Sequence, residues 1–206
     1  GNVAGLTAAL YGIKYSGAIT VSEALDNTTL AGVLALTTGK VTADVSGTAT
    51  NLVTALADEK TVNALTVTVG AGAVNASDLK ILDAKTSVTV DASAVAEITG
   101  TAAELKTVLA AKTITLDTTA VKVTVDGKVS AADLNTITKA TAGVVTAEVE
   151  GSAAALNAAL KEVSANDITV ILTGTTATAK DLKELAAKTS VMVDASDIET
   201  ITGNAA

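Results

Sequence analysis

One phrase returns along this chain at a nearly constant interval. It reads G-T-A-T-N-L-V-T-A-L at 47–56, G-T-A-A-E-L-K-T-V-L at 100–109, G-S-A-A-A-L-N-A-A-L at 151–160 and G-N-A-A at 203–206. Its glycines, Gly47, Gly100, Gly151 and Gly203, stand 53, 51 and 52 residues apart. A period of this size marks an architecture of stacked units, each burying its apolar stripe against its neighbours. Such a chain is not expected to be built around one reactive cleft.

A second, weaker phrase falls between the copies of the first. It appears as N-A-S-D-L-K-I-L-D-A-K-T-S-V (75–88), S-A-A-D-L-N-T-I-T-K-A-T-A-G-V (130–144) and T-A-K-D-L-K-E-L-A-A-K-T-S-V (178–191), with a degenerate copy at 27–41. The period of about 52 therefore divides into two coils of roughly 26 residues. Both phrases predict short helices. Leu52, Ala55 and Leu56 fall at helical spacing, as do Leu105, Val108 and Leu109, and Leu156, Ala159 and Leu160. Thr101 with Glu104 matches a capping box. Asn75 with Asp78, Ser130 with Asp133, and Thr178 with Asp181 each place an acid three positions after an N-cap oxygen. Helices this short are unstable alone in water and must dock on something.

Between the helices, apolar and polar residues alternate: 66–69, 88–90, 121–125, 144–149, 168–172 and 191–193. Period two with β-branched residues predicts strands with one buried face. Strand and helix alternating at this spacing predict parallel strands joined by helical crossovers. The near copies V-D-A-S-A-V-A-E-I-T-G (90–100) and V-D-A-S-D-I-E-T-I-T-G (193–203) read as strand end, tight turn and second short strand. Two strand-like runs occupy 112–130, as an inserted hairpin or a wider coil. Residues 1–26, with both tyrosines, Tyr11 and Tyr15, fit the pattern poorly and read as a diverged coil or N-terminal cap. The coils proper span 27–206, and the array halts inside a phrase at Gly203, as a truncated copy would.

Composition narrows the function classes. Arg, His, Cys, Pro, Trp, Phe and Gln are missing, and the net charge is −8. Phosphate recognition needs basic side chains, above all bidentate arginine, so nucleic acid is not an expected partner. Without His and Cys the usual base–nucleophile pairs cannot form. No run of about 18 apolar residues predicts a membrane span. The lysines Lys80, Lys106, Lys161 and Lys183 read as solvated helix faces, not as a basic patch.

Acids remain as candidate ligands. Asp44, Asp91, Asp126 and Asp194 recur at strand ends, and recurrence favours a role in coil geometry over catalysis, so no catalytic residue is expected. Asp194, Asp197 and Glu199 form the densest local cluster and are the candidates for calcium, which takes six to eight oxygens. The competing reading, which carries more weight, is an Asx turn made by Asp-Ala-Ser. No other cofactor is implied. The T-x-T phrases at 66–68 and 113–115 resemble ice-binding ladders, but equivalent strands do not continue them. Asn27 and Asn75 open glycosylation sequons by pattern only.

The phrases at 91–109 and 131–139 resemble the tandem repeats of very large bacterial exoproteins, the adhesin-like, S-layer-like and type I-secreted surface proteins. That resemblance, over about residues 19–206, implies a secreted or cell-surface location and a spacer, scaffold or adhesive role. The reading is thus an α/β solenoid, parallel sheet on one side and short helices on the other, serving as a structural segment and not as an enzyme. Its partners are neighbouring repeats, with self-association or a surface glycan or protein beyond them. A glycan- or protein-binding module is the alternative. An enzyme of the β-helix kind acting on polysaccharide is the weaker one.

Overall fold

The computed structural model describes residues 1–161, 163 and 166–203. The end of the fourth phrase, 204–206, lies outside them. The fold is α/β, with every strand pairing parallel and eight helices among the described residues.

The first half of the chain runs α1 (Val3–Leu10), β1 (Ile19–Thr20), α2 (Asn27–Leu34), β2 (Val41–Gly47), α3 (Ala49–Ala55), β3 (Ala64–Val69), β4 (Gly72–Asn75), α4 (Ala76–Lys85) and β5 (Val90–Asp91). Next come β6 (Val95–Gly100), α5 (Ala102–Ala110), β7 (Ile114–Thr115), β8 (Lys122–Lys128), α6 (Ala131–Ala140) and β9 (Val145–Gly151). The chain continues through α7 (Ala153–Ala159), β10 (Asp167–Leu172), β11 (Thr176–Thr178), α8 (Ala179–Ala186) and β12 (Thr200–Thr202).

Two compact units emerge. The first comprises Gly1–Ala96 with Ala111–Asp117. Its sheet has the order β1-β2-β3-β5-β7. Ile19 pairs with Val41, Thr42 with Ala64, Thr68 with Asp91 and Asp91 with Thr115. Helices α2, α3 and α4 pack in succession. Residues 1–26 hold α1 and β1, and β1 joins the sheet in the same parallel sense as the other strands.

The second unit comprises Glu97–Ala110 with Thr118 onward. Here β6, β8, β9 and β10 pair in that order, and β11 pairs with β12. Glu97 meets Lys122, Val123 meets Val145 and Thr146 meets Asp167. Helices α5 to α8 again pack in succession.

In both units the step from one strand to its partner is shorter than half the sequence period. Halving that period averages in the 112–130 stretch, which holds two strands between α5 and α6. Those strands form no hairpin: β7 pairs with β5 in the first unit, and β8 with β6 and β9 in the second, all in parallel. A second difference falls at Val191–Val193, which form no strand. Val90–Asp91 is flanked by β3 and β7, whereas the later copy has one isolated bridge, Ile171–Asp194. A ladder on one side at one residue does not hold an extended run.

The local chemistry is that of the sequence. In β2, Val41, Ala43 and Val45 are buried while Thr42, Asp44 and Ser46 face solvent. Leu30, Leu52, Leu79, Leu105 and Leu134 are fully buried on successive helices, each contributing about 1.5–3 kcal/mol by leaving water. The glycine of the recurring phrase makes room for the leucine five positions on. A Cβ at Gly151 would sit 3.2 Å from Leu156, and one at Gly47 would sit 3.4 Å from Leu52. Thr101 and Glu104 form the expected reciprocal cap, and Ser130 and Thr178 accept from the amides of Asp133 and Asp181. Asn75 stands at the N-cap of α4, but its side chain makes no cap hydrogen bond. The carboxylate three residues on, Asp78, accepts from Thr50 Oγ1 of α3 at 2.8 Å.

Candidate functional site

The polar side chains that the fold buries form a series. Among the described residues they are Thr37, Asn63, Thr86, Thr141 and Thr189, and the partly buried Asn166 continues the set. All but Thr189 stand just before a strand, and Thr189 stands before the irregular run Val191–Val193. Each bonds main-chain atoms of the strand segment before it. Thr37 Oγ1 donates to Gly17 O at 2.6 Å. Asn63 Oδ1 accepts from Val41 N at 2.8 Å. Thr86 Oγ1 donates to Leu65 O at 2.7 Å and accepts from Leu65 N at 3.0 Å.

The second unit repeats the order threonine, asparagine, threonine. Thr141 Oγ1 donates to Val121 O at 3.1 Å, Asn166 Oδ1 accepts from Val145 N at 2.9 Å, and Thr189 Oγ1 donates to Ile168 O at 2.6 Å. A buried backbone group without a partner costs about as much as a lost hydrogen bond. These side chains supply partners where the strands begin. Two glycines allow the approach. A Cβ at Gly143 would lie 1.9 Å from Val121 O, and one at Gly39 would lie 2.4 Å from Gly17 O. Their amides donate to Thr141 and Thr37.

A second set links successive helices through the acid of the first turn. Asp78 accepts from Thr50, Asp133 from Lys106, and Asp181 from Asn157 at 3.0 Å. Lys106 is thus tied to the next helix instead of standing on a free solvated face. Its ammonium, with Ser130 second, holds the Asp133 carboxyl below the usual range. Asn157, then Thr178, does the same for Asp181.

Asp91 Oδ1 accepts from Ser93 Oγ at 2.7 Å and Ser93 N at 3.0 Å, and Asp194 Oδ1 accepts from Ser196 N at 3.0 Å. Both form the Asx turn that Asp-Ala-Ser suggests, and both are lowered in pKa by that serine. Asp44 lies mid-strand on β2 and Asp126 on β8, both facing solvent. The structure does not gather Asp194, Asp197 and Glu199 into a metal-holding group: the turn directs the Asp194 carboxylate to Ser196. Among the described residues no three acids lie close enough to hold an ion. Asp197 and Glu199 instead line a shallow open groove with Gly174, Thr175 and Ser196. The T-x-T phrases do not form a ladder, because Asp91 stands between Thr68 and Thr115 in the sheet.

Two further concavities are open grooves between successive helices, one lined by Asn27, Asn51 and Asp58 and another by Asn157, Lys161 and Lys180, and a third, apolar groove lies between Leu182 and Ala186 of α8 and the run Val191–Val193. Sequence reasoning misses the series of buried threonines and asparagines. Its signal is a shift of two phrase periods, which carries Thr37, Asn63 and Thr86 onto Thr141, Asn166 and Thr189. Comparison with protein-family models, with curated proteins and with solved structures finds no match to this chain.

Proposed function

We propose that this chain is a structural repeat segment of a bacterial cell-surface or secreted protein, a non-enzymatic α/β solenoid serving as spacer or scaffold. The buried polar series carries the reading. In both units those side chains are spent on holding one strand segment to the one before it. An enzyme or receptor would aim its buried polar groups at a ligand. Small side chains, short helices and closely spaced parallel partners suit lateral stacking, where each coil is stabilised by its neighbours.

A binding module is the second reading, and one observation favours it. Both tyrosines stand in the connection after α1, Tyr11 at 87% exposure and Tyr15 at 38%. Exposed aromatic rings pack on the apolar faces of sugars and peptides.

Antibodies raised against this chain, applied to intact and to lysed producing cells, test the location. Labelling of intact cells is expected, and labelling after lysis alone refutes it. A glycan array tests the role. A spacer binds no glycan, whereas saturable binding that Tyr11→Ala abolishes would replace the spacer reading with the binding module.

A further inference from the structure

We infer that the Asp126–Gly127 step of β8 is a self-modification site, where the aspartate closes on the next amide nitrogen and reopens as an isoaspartyl link. The inference does not depend on the spacer reading above.

Asp126–Gly127 is the single Asp-Gly step in the sequence. It falls at a break in the ladders of β8. Pairing with β6 ends where Gly100 meets Val125. Pairing with β9 runs to Thr124 opposite Thr146 and resumes at Lys128 opposite Glu148, so β8 carries extra residues there. Asp126 and Gly127 thus stand opposite no residue in either register, and both are exposed. Gly127 takes φ +71°, and nothing lies within 4 Å of the place its Cβ would occupy. A bulge releases its inserted residues from the ladder, and glycine brings no side chain to hinder approach to its nitrogen.

Ring closure joins the Gly127 nitrogen to Asp126 Cγ and expels a carboxyl oxygen as water, giving a five-membered succinimide. Water then cleaves one of the two C–N bonds of the ring. Cleavage at Cγ restores aspartate. Cleavage at the main-chain carbonyl leaves the chain running through Cβ and Cγ, with a free α-carboxylate. The water lost is regained, no oxidant or reductant takes part, and the net charge is unchanged.

Closure requires the peptide plane after the aspartate to turn toward its carboxyl. Elsewhere that plane is fixed. The amide after Asp91 donates to Thr115 O at 2.8 Å, that after Asp133 to Ser130 O at 2.9 Å, and that after Asp197 to Ala195 O at 3.1 Å. The next residues, Ala92, Leu134 and Ile198, also carry side chains. The Asp91 carboxylate is further engaged by Ser93. At Asp126 the bulge and the glycine remove both obstacles together.

The product lengthens the main chain by one atom just before the ladder resumes. There the Val129 amide donates to Glu148 O at 2.8 Å, and Lys128 pairs with Glu150. Modification therefore loosens that end of β8 against β9.

Incubation of the full folded chain at mildly acidic pH tests the inference. Isoaspartate is read by methyl transfer from S-adenosylmethionine with an isoaspartyl methyltransferase, and placed by electron-transfer fragmentation. The same chain in urea gives the unprotected rate at each aspartate. Asp126 is expected to react in the folded chain at close to its rate in urea, whereas Asp91 and Asp133 react in urea alone. Exchange of the Val129 amide should quicken in the modified fraction. Asp126→Glu, one methylene too long for the five-membered ring, should abolish the signal. Asp126→Asn closes the same ring with loss of ammonia and should gain negative charge on standing, seen by isoelectric focusing. Far-UV circular dichroism and the melting temperature check that both variants stay folded. A folded chain that forms no isoaspartate at Asp126, while the chain in urea does, overturns the inference. So does isoaspartate that arises at Asp91 and Asp133 as fast as at Asp126, or that survives Asp126→Glu.

Discussion

Thr86→Val is the sharpest test of the buried polar series. Valine has nearly the shape of threonine, so it removes a hydroxyl and little volume. That hydroxyl bonds Leu65 O at 2.7 Å, Leu65 N at 3.0 Å and Val88 N at 3.2 Å. Leu65 is fully buried and Thr86 is 7% exposed, so water cannot replace the lost partner. Each neutral hydrogen bond contributes about 1 kcal/mol net, and a buried group left unmatched costs about 1–3 kcal/mol. The expected loss is about 2–4 kcal/mol. Thr86→Ser keeps the hydroxyl and removes one methyl, for about 1 kcal/mol. Urea unfolding followed by circular dichroism gives both values, and hydrogen exchange at the Leu65 amide localises the effect. If Thr86→Val costs no more than Thr86→Ser, and Leu65 stays protected, the hydroxyl is not what joins the strand segments and the reasoning fails.

Three further outcomes follow from the same geometry. Gly143→Ala, whose methyl would collide with the Val121 carbonyl, should destabilise by about 1–3 kcal/mol or more, whereas Gly32→Ala on α2, with nothing within 4 Å, should stabilise by about 0.5–1 kcal/mol; thermal melts of both separate steric contact from backbone freedom. The carboxyls of Asp91, Asp133, Asp181 and Asp194 are all lowered by their partners. Their stabilisation is present above the ordinary carboxylate range and fades as pH falls below about 4 through the folded values, so the melting temperature should drop there, and a flat acid limb would contradict the assigned hydrogen bonds. Calcium should give neither calorimetric heat nor a rise in melting temperature, because the Asp194 carboxylate is engaged by Ser196 and stands apart from a ligand set; a saturable heat lost in Asp194→Asn would reverse that.

Much of the local structure is legible in the sequence. Alternation at Thr66–Val69 and Ile168–Leu172 announces strands with one buried face, and the Thr101–Glu104 pair announces a capped helix. Such features depend on residues within one turn or one strand, so short-range chemistry reveals them. Asn75 shows the limit: its spacing to Asp78 matches a cap, yet its side chain makes no cap hydrogen bond. Lys106 misleads because its partner Asp133 lies 27 residues on.

By itself, then, the sequence determined most of the element types, the parallel sense implied by short helical crossovers, and the lack of histidine and cysteine. Those are matters of periodicity, of crossover length and of the atoms available. Tertiary structure alone decided the register that sets Glu97 against Lys122 and Thr146 against Asp167, the division of the 112–130 stretch between β7 and β8, and the burial of Thr86 but not Ile201. The physical reason lies in what stands beside each segment. Ile98 and Ile201 end the same I-T-G phrase, and only the strand packed alongside makes one of them core and the other edge.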